Sequence, residues 1–479
     1  MYWLDDTLKK QIKNIVQKLK KSQKVHIVSH IDADGITSAS IAYKALERAG
    51  NEVSVEFIKQ LESDKISSLR DAEHELIWFT DFGSGQLEAL NGIDCIITDH
   101  HEPQGTAGMP TGVQRGNILS YANSTVLELN PHRYGINGAT ELSGAGTTYL
   151  VAREMGDNKD LSKLAVVGAV GDLQTVRDGK LIGKNREILQ DGTDGRYIEC
   201  RKETTLYGLE SRPIPKVLQY ASDPVLPGLT GDGTACTNFL TDLNIPLKED
   251  GDWRKWYQLS QGEKKKILSA VGKRMLEHGY PPSYVESLVG EVYTFPGEDK
   301  GSMVHEAKEF STLLNSCGRY KKGEIGLKIC LGDRDEYYNK AMQLLQGHRQ
   351  VLVDCMKYVE SVGITRMDNL QYFHGGDRIP DTVLGTVVGM VLGSGNVDRD
   401  MPMLGFTESG EKEGLKVSSR GTKQLTDAGL DLSIVMSNCS KQLGGEGGGH
   451  NIAAGAFIPE GTEEEFLSLA DEIIKKQLS

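Results

Sequence analysis

Two apolar periods alternate along the first 175 residues. The short apolar runs KVHIVSH (24–30), VSVEFIK (53–59), ELIWFTD (75–81), IDCIITDHH (93–101) and VLELNP (126–131) have the length and composition of buried strands. Between the first two, residues 35–48 set Ile36, Ala39, Tyr43 and Leu46 on one helical face. A short helix is predicted at 84–91, and two longer ones near 142–155 and 160–172. Strands alternating with helices predict an α/β fold with a mainly parallel five-stranded sheet flanked by helices. Such sheets bind their ligands beyond the carboxyl ends of the strands.

The pattern changes after residue 204. Pro-containing aromatic loops (ESRPIPKVLQY, SDPVLPG, HGYPPSYV) surround one polar helical stretch, QGEKKKILSAVGKRMLEHG. A long helix is predicted at 334–361, with Asp333 as N-cap, Glu336 as its capping-box partner, and Tyr338, Met342, Leu345, Leu352, Met356 and Val359 near helical spacing. Short strands and helices return at the end of the chain. These shifts predict an α/β catalytic domain (1–204), a mainly helical insertion (205–302), a connecting helical segment (303–366) and a smaller C-terminal α/β domain (367–479).

Composition narrows the function classes. The 55 Gly against 14 Pro suit a protein with many tight strand-to-helix turns. Seven Cys, odd in number and without CxxC spacing, argue against a disulfide framework or structural zinc and for buried thiols. No apolar run approaches a membrane span and the N-terminus has no signal-peptide core, so no membrane partner and a cytoplasmic location are expected. A net charge of −13 argues against a surface that coats nucleic acid throughout, though not against one local basic groove. Arg186, Lys202, Arg212 and Arg349 are candidates for such a groove; Lys264, Lys265 and Lys266 read first as a solvated helix face and second as a strand path.

The chemistry lies at the ends of the predicted strands. The first ends in Ser29-His30-Ile31-Asp32-Ala33-Asp34-Gly35, the third in Asp81, the fourth in Asp99-His100-His101, and a later helix carries Gly171-Asp172. Five Asp and three His thus converge on one rim. Carboxylates packed so closely do not all ionise without a counter-cation. Mixed His and Asp donors suit Mn2+, Fe2+ or Zn2+, and Mg2+ where carboxylates dominate. Two ions about 4 Å apart would clamp the attacking and leaving oxygens of a phosphoryl displacement, with a metal-bridged hydroxide as nucleophile. Asp81, alone at the end of the central strand, is the candidate bridging carboxylate. Singly, Asp34 or Asp81 could be a helix N-cap and His100 an ordinary buried polar group. Near the C-terminus, Gly447, Gly448 and Gly449 bare backbone N–H groups to an anion, while His450 and Arg420 can donate to a phosphate and Ser418 and Ser419 are weaker candidates.

The segment His30-Ile31-Asp32-Ala33-Asp34-Gly35 resembles the first motif of the DHH phosphoesterase superfamily, and Asp99-His100-His101 the motif that names it. Asp81 and Gly171-Asp172 match its second and fourth motifs; Gly447-Gly448-Gly449-His450 with Ala453-Ala454-Gly455 resembles the GGGH motif of the associated DHHA1 domain. The resemblance implies an N-terminal DHH domain and a C-terminal DHHA1 domain. It implies that His30 and Asp32 bind a first metal, that Asp34, His100 and Asp172 bind a second, and that Asp81 bridges them. Asp99 and His101 would orient His100 or touch the phosphate. Two divalent ions are implied, Mn2+ before Mg2+. Leu129-Asn130-Pro131-His132 and Leu142-Ser143-Gly144-Ala145-Gly146 resemble segments of RecJ nucleases, with His132 as a phosphate contact.

The insertion and the PDTVLGTVVGMVL segment resemble archaeal RecJ-like nucleases, a group that includes the nuclease associated with the replicative GINS complex. The implied activity is exonucleolytic cleavage of single-stranded DNA, RNA or both to mononucleotides in replication or repair, with GINS or replicative helicase components as partners. A phosphodiesterase of short oligonucleotides or cyclic dinucleotides is the alternative. A structural factor without catalysis is a third reading, against which the full set of ligand positions argues.

Overall fold

The computed structural model describes residues 6–72, 74–104, 126–175, 179–221, 224–394, 397–410 and 413–478. Residues 1–5 of the amphipathic N-terminus lie outside that set. The chain divides into two units, Met1–Leu345 and Gln346–Ser479.

The first unit begins with α1 (Asp6–Lys21), whose Leu8, Ile12, Ile15 and Leu19 are buried. Then follow β1 (Lys24–His30), α2 (Ala33–Ala49), β2 (Glu52–Ile58), α3 (Ser63–Asp71), β3 (Ile77–Thr80), β4 (Cys95–Thr98) and β5 (Val126–Leu129). The five strands are all parallel, in the order β2-β1-β3-β4-β5. β1, β3 and β4 are central, and β3 and β4 are buried at every position, which is why they read as unbroken apolar runs. The helix expected at 84–91 is instead a single 3-10 turn, Ser84–Gln86, followed by turns. Gly83, held at φ 115°, and Gly85 leave too little propensity to nucleate a helix in so short a stretch. β3 stops one residue before Asp81 because Asp81 has φ 65°, outside the strand region. Helices α4 (Gly144–Met155) and α5 (Ser162–Gly171) pack with α2 and cover the sheet, and α6 (Lys184–Asp194) follows.

The insertion hangs on an antiparallel ribbon of β6 (Glu199–Thr204) and β9 (Val289–Thr294), so its entry and exit lie side by side. Between them stand α7 (Ile214–Gln219), α8 (Gly233–Asp242), the hairpin β7 (Lys248–Glu249) and β8 (Asp252–Trp253), α9 (Gln261–Glu277) and α10 (Pro282–Glu286). Val217, Leu240, Trp256, Ile267 and Met275 belong to a separate core there. The Lys264-Lys265-Lys266 run is not wholly a solvated face. Lys264 is buried, with Nζ 2.5 Å from Glu203 Oε2, while Glu203 Oε1 accepts from Trp256 Nε1 at 3.1 Å.

Helices α11 (Ala307–Arg319) and α12 (Gly323–Cys330) pack on α2, and α11 also on α5. Glu309 of α11 accepts from the backbone N–H groups of Glu210 (2.7 Å) and Ser211 (3.1 Å), tying the insertion to the core. Glu306 caps α11 by accepting from Lys308 and Glu309 N–H groups. Burial, with Glu309 adding to it, pushes the Glu306 carboxyl from 4.5 up to about 7. The folded protein therefore keeps a proton that the unfolded chain releases, and stability falls as pH rises from 4.5 through 7. Glu306→Gln can make the same cap without the titration. It is expected to remove this decline, by at most about 3 kcal/mol, in urea unfolding measured at pH 5 and 8. Equal pH slopes in parent and variant would refute it.

The boundary between the units falls within α13 (Glu336–Val362), which Asp333 caps by accepting from Tyr337 and Tyr338 N–H groups; Glu336 pairs with Lys340. The second unit holds β10 (Thr365–Arg366), β11 (Gln371–His374), α14 (Asp381–Gly393), β12 (Met403–Glu408), β13 (Leu415–Arg420), α15 (Lys423–Asp427), α16 (Leu432–Gln442), β14 (Glu446–Gly449), β15 (Ala453–Ile458) and α17 (Glu463–Leu478). Its six-stranded mixed sheet runs β10-β11-β12-β13-β15-β14. The Gly-rich stretch is thus an edge strand rather than a loop.

Candidate metal centre

The first unit gathers His30, Asp32, Asp34, Asp81, His100 and Asp172 at the carboxyl end of its sheet. The backbone around them leaves no space for larger residues. A Cβ at Gly35 would lie 2.2 Å from His30 O, one at Gly144 would lie 2.3 Å from Asp81 Oδ1, and one at Gly168 would lie 2.3 Å from Asp34 Oδ1. Asp32 is the N-cap of α2, Oδ1 accepting from Gly35 N at 2.9 Å while Oδ2 stands 3.1 Å from His30 Nδ1. The cap therefore uses one oxygen and leaves the other facing His30. Asp34 is buried in the first turn of α2, and its oxygens accept from Gly144 N (2.7 Å) and Ala145 N (3.0 Å) at the start of α4. That is what the Leu142–Gly146 segment does: the positive end of α4 holds a buried carboxylate.

Asp81 lies between the two histidines, Oδ2 3.5 Å from His30 Nδ1 and Oδ1 3.2 Å from His100 Nε2. His100 Nδ1 is 2.8 Å from Gly138 O, which assigns the proton to Nδ1 and turns Nε2 toward Asp81 and Asp34. Asp172, at the C-cap of α5, accepts on Oδ2 from Gln174 Nε2 at 2.9 Å. Among the described residues, three groups have ligand atoms within 4.8 Å of one another: His30, Asp32 and Asp81; Asp34, His100 and Asp172; and Asp81, His100 and His101.

The electrostatics are those of a site short of positive charge. Burial, then the Asp81 charge, raises Asp34 well above the carboxylate range, and burial with Asp81 and Asp32 raises Asp172 to about 6. Burial works against the ionised Asp81, but His100 and His30 outweigh it and hold it low. Burial likewise opposes the His30 imidazolium, yet Asp32 and Asp81 push it up to about 11. Even so, buried His30 Nδ1 and Asp81 Oδ1 find no well-aligned hydrogen bond. Two orphaned buried polar atoms, one nitrogen and one carboxylate oxygen, among closely packed Asp and His side chains fit a site for divalent ions with mixed nitrogen and oxygen ligands.

Asp99 and His101 sit behind this cluster. Asp99 Oδ1 accepts from His100 N (2.7 Å), His101 N (3.1 Å) and His101 Nδ1 (2.8 Å), and Oδ2 from Ser84 N (2.9 Å). These bonds fold the chain sharply after β4 and end that strand earlier than its apolar run suggests. Asp99 is in none of the three ligand groups, whereas His101 joins one of them and is exposed. His132 Nε2 lies 3.1 Å from His100 O, so its ring faces the His100 backbone. In the second unit, the Ser419 hydroxyl is buried and donates to Ala454 O at 3.0 Å. Arg420 Nη1 donates to Ser419 O at 2.9 Å, and burial lowers its pKa. His450 is exposed, and its backbone pairs with Ala453 to close the β14–β15 hairpin. Antiparallel alternation from that pair turns the N–H groups of Gly447 and Gly449 to the open edge of the sheet. Gly448 has open space where a side chain would be.

Sequence reasoning missed Gln174. Its Nε2 donates to both Asp172 Oδ2 (2.9 Å) and Gly138 O (2.8 Å), and its Oε1 accepts from Asn185 Nδ2 at 2.6 Å. One carbonyl thus fixes two candidate ligands. Its only sequence signal is a buried amide two residues after Asp172. Gln174→Ala is expected to weaken Mn2+ binding about 10- to 100-fold with little effect on folding, measured by calorimetric titration. Unchanged affinity would remove Gln174 from this role.

Leu173, between those two residues, has φ 59° and is 67% exposed.

The chain is similar to several known proteins. Family models match residues 24–168 (DHH family, N-terminal domain), 206–289 (DHH-CID domain) and 367–476 (DHHA1 domain). The uncharacterized protein MJ0831 of Methanocaldococcus jannaschii is 32% identical over 98% of both chains. The single-stranded-DNA-specific exonuclease RecJ of Bacillus subtilis is 26% identical over 36% of this chain and 22% of its own length. Among solved structures, Thermus thermophilus RecJ in complex with Mn2+ superposes with a TM-score of 0.58 at 16% identity, over 98% of this chain and 55% of that one. CDC45 from Entamoeba histolytica gives 0.62 at 12% identity, over 98% and 99%. At such identities the structural likeness speaks to fold alone.

Proposed function

Because the chain belongs to the DHH phosphoesterase superfamily as a RecJ-like member with DHH, DHH-CID and DHHA1 domains, we propose that it is a metal-dependent single-strand exonuclease releasing mononucleotides from DNA, RNA or both. The observation that carries this reading is the pair of ligand groups on either side of one buried carboxylate. His30, Asp32 and Asp81 would hold one ion, Asp34, His100 and Asp172 a second, with Asp81 shared. When bound, two Mn2+ or Mg2+ ions would supply the positive charge that draws in a phosphodiester and acidifies water beside it.

The protein's own groups supply the rest. Asp99 and His132 hold the His100 backbone, Gly138 and Gln174 orient His100 and Asp172, and the α4 N-terminus fixes Asp34. Exposed His101, held by Asp99, would donate a proton to a phosphate oxygen or leaving group. Arg420, the outward N–H groups of β14 and His450 would bind a strand phosphate. The resemblance supports a role in replication or repair, with GINS or replicative helicase components as partners.

The test compares end-labelled strands of 5 and 50 nucleotides incubated with the protein and Mn2+. The exonuclease reading expects mononucleotides from both. Degradation of the short strand alone would overturn it in favour of a short-oligonucleotide or cyclic-dinucleotide phosphodiesterase.

A further inference from the structure

The end of α5 contains a residue that helix geometry alone does not explain. Gln174 N donates to Ala169 O at 3.0 Å and Leu173 N to Val170 O at 3.1 Å. Those two bonds form a Schellman turn, with Asp172 as C-cap and Leu173 at the following position. That position takes φ near +60° and favours glycine, because a Cβ there crowds the backbone. Here it is leucine, at φ 59°. The hydrophobic contact of such a turn involves the next residue, so Leu173 does not serve it. The residue is 67% exposed, the highest value among the large apolar residues described as exposed. It is flanked by a candidate metal ligand, Asp172, and by Gln174, which orients that ligand. The fold thus keeps a strained backbone at an exposed apolar residue that sits in the chain between a candidate ligand and the group that orients it. Strain retained beside reacting groups points to a role in the reaction.

We propose that Leu173 is a specificity-determining contact, the apolar surface against which the base of the terminal nucleotide packs while its phosphate occupies the ligand cluster. This rests on the nuclease reading. The cluster recognises charge only. Beside a phosphate so held, the apolar part of a nucleotide is the face of its base, and a leucine covers such a face whatever the base.

The experiment measures release of the terminal residue from 50-nucleotide strands with ordinary ends and from strands with abasic sugars at both ends, for the parent, Leu173→Ala and Leu173→Gly. The parent should favour ordinary ends. Both variants should raise KM for ordinary ends about tenfold, the factor for exposing part of a leucine side chain, and leave abasic ends unchanged. Thermal unfolding gives a second readout. Leu173→Ala should keep the parent's Tm, and Leu173→Gly should match or exceed it, since the turn then holds its preferred residue. Unchanged KM for ordinary ends, or an equal loss on both kinds of end, would overturn the proposal. A fall in Tm with both variants would assign Leu173 to packing instead. Failure of the parent to cut either strand would count against the nuclease reading and is distinguishable from all of these.

Discussion

Asp81→Asn is expected to reduce hydrolysis by at least about 1,000-fold, roughly 4 kcal/mol of barrier, while the protein stays folded. The amide keeps the size of the side chain and can sit in the left-handed backbone conformation, which asparagine tolerates well. It discards the one charge that faces both histidines, 3.5 Å from His30 and 3.2 Å from His100. The Asp81 charge also helps raise Asp34 and Asp172, so its removal eases their repulsion in the metal-free protein and offsets part of the lost pairing with His30 and His100. Single-turnover assays across a Mn2+ titration and thermal unfolding without metal would measure both effects. Activity within tenfold of the parent at saturating Mn2+ would refute the bridging role. A large drop in Tm would refute the claim that Asp81 serves chemistry rather than the fold.

Lys264→Ala is expected to cost about 3–5 kcal/mol, because it leaves Glu203 buried without its cation. Burial by itself would raise the Glu203 carboxyl, and Lys264, with hydrogen bonds from Thr204 N and Trp256, more than offsets it and holds that group below its ordinary value. The double variant Lys264→Met/Glu203→Gln should recover most of the loss, since two neutral side chains of similar size remain and the amide can still accept from Trp256. Urea unfolding of the parent, the single variant and the double variant decides this. A cost below about 1 kcal/mol for Lys264→Ala would mean that the pair is effectively solvated.

That lysine also shows where sequence reading stops. Three consecutive lysines in a polar helix look solvated, yet successive helical residues point about 100° apart, and the first of the three turns inward. Whether an acid waits there is a tertiary fact, supplied by Glu203 on a strand sixty-one residues earlier. The ribbon of β6 and β9 escaped notice for a similar reason: ECRKET is polar at most positions, and only its partner makes it a strand. By contrast, β3 and β4 were legible as buried strands because both faces are covered, so all their residues but a terminal Thr are apolar. The convergence of His30, Asp32, Asp34, Asp81, His100 and Asp172 followed from that legibility, since parallel strands bring their carboxyl ends together. Gln174 and Gly138 were not legible, because one amide and one carbonyl acquire meaning only when distant loops meet. The Gly447–Gly449 stretch was legible as unusual but not as a strand: its pairing depends on β15 alone, with no side chains to pack.

The ribbon has a consequence for how such a chain can be rearranged. Thr204 and Val289 face each other across β6 and β9, so everything between them begins and ends at one place. A tight turn joining those two strands would close the gap without altering the register of the parallel sheet or the spacing of the six candidate ligands. The insertion is therefore a graft on the catalytic scaffold. Exchange at this point would replace a separately packed core while the order and register of the parallel strands stay as they are.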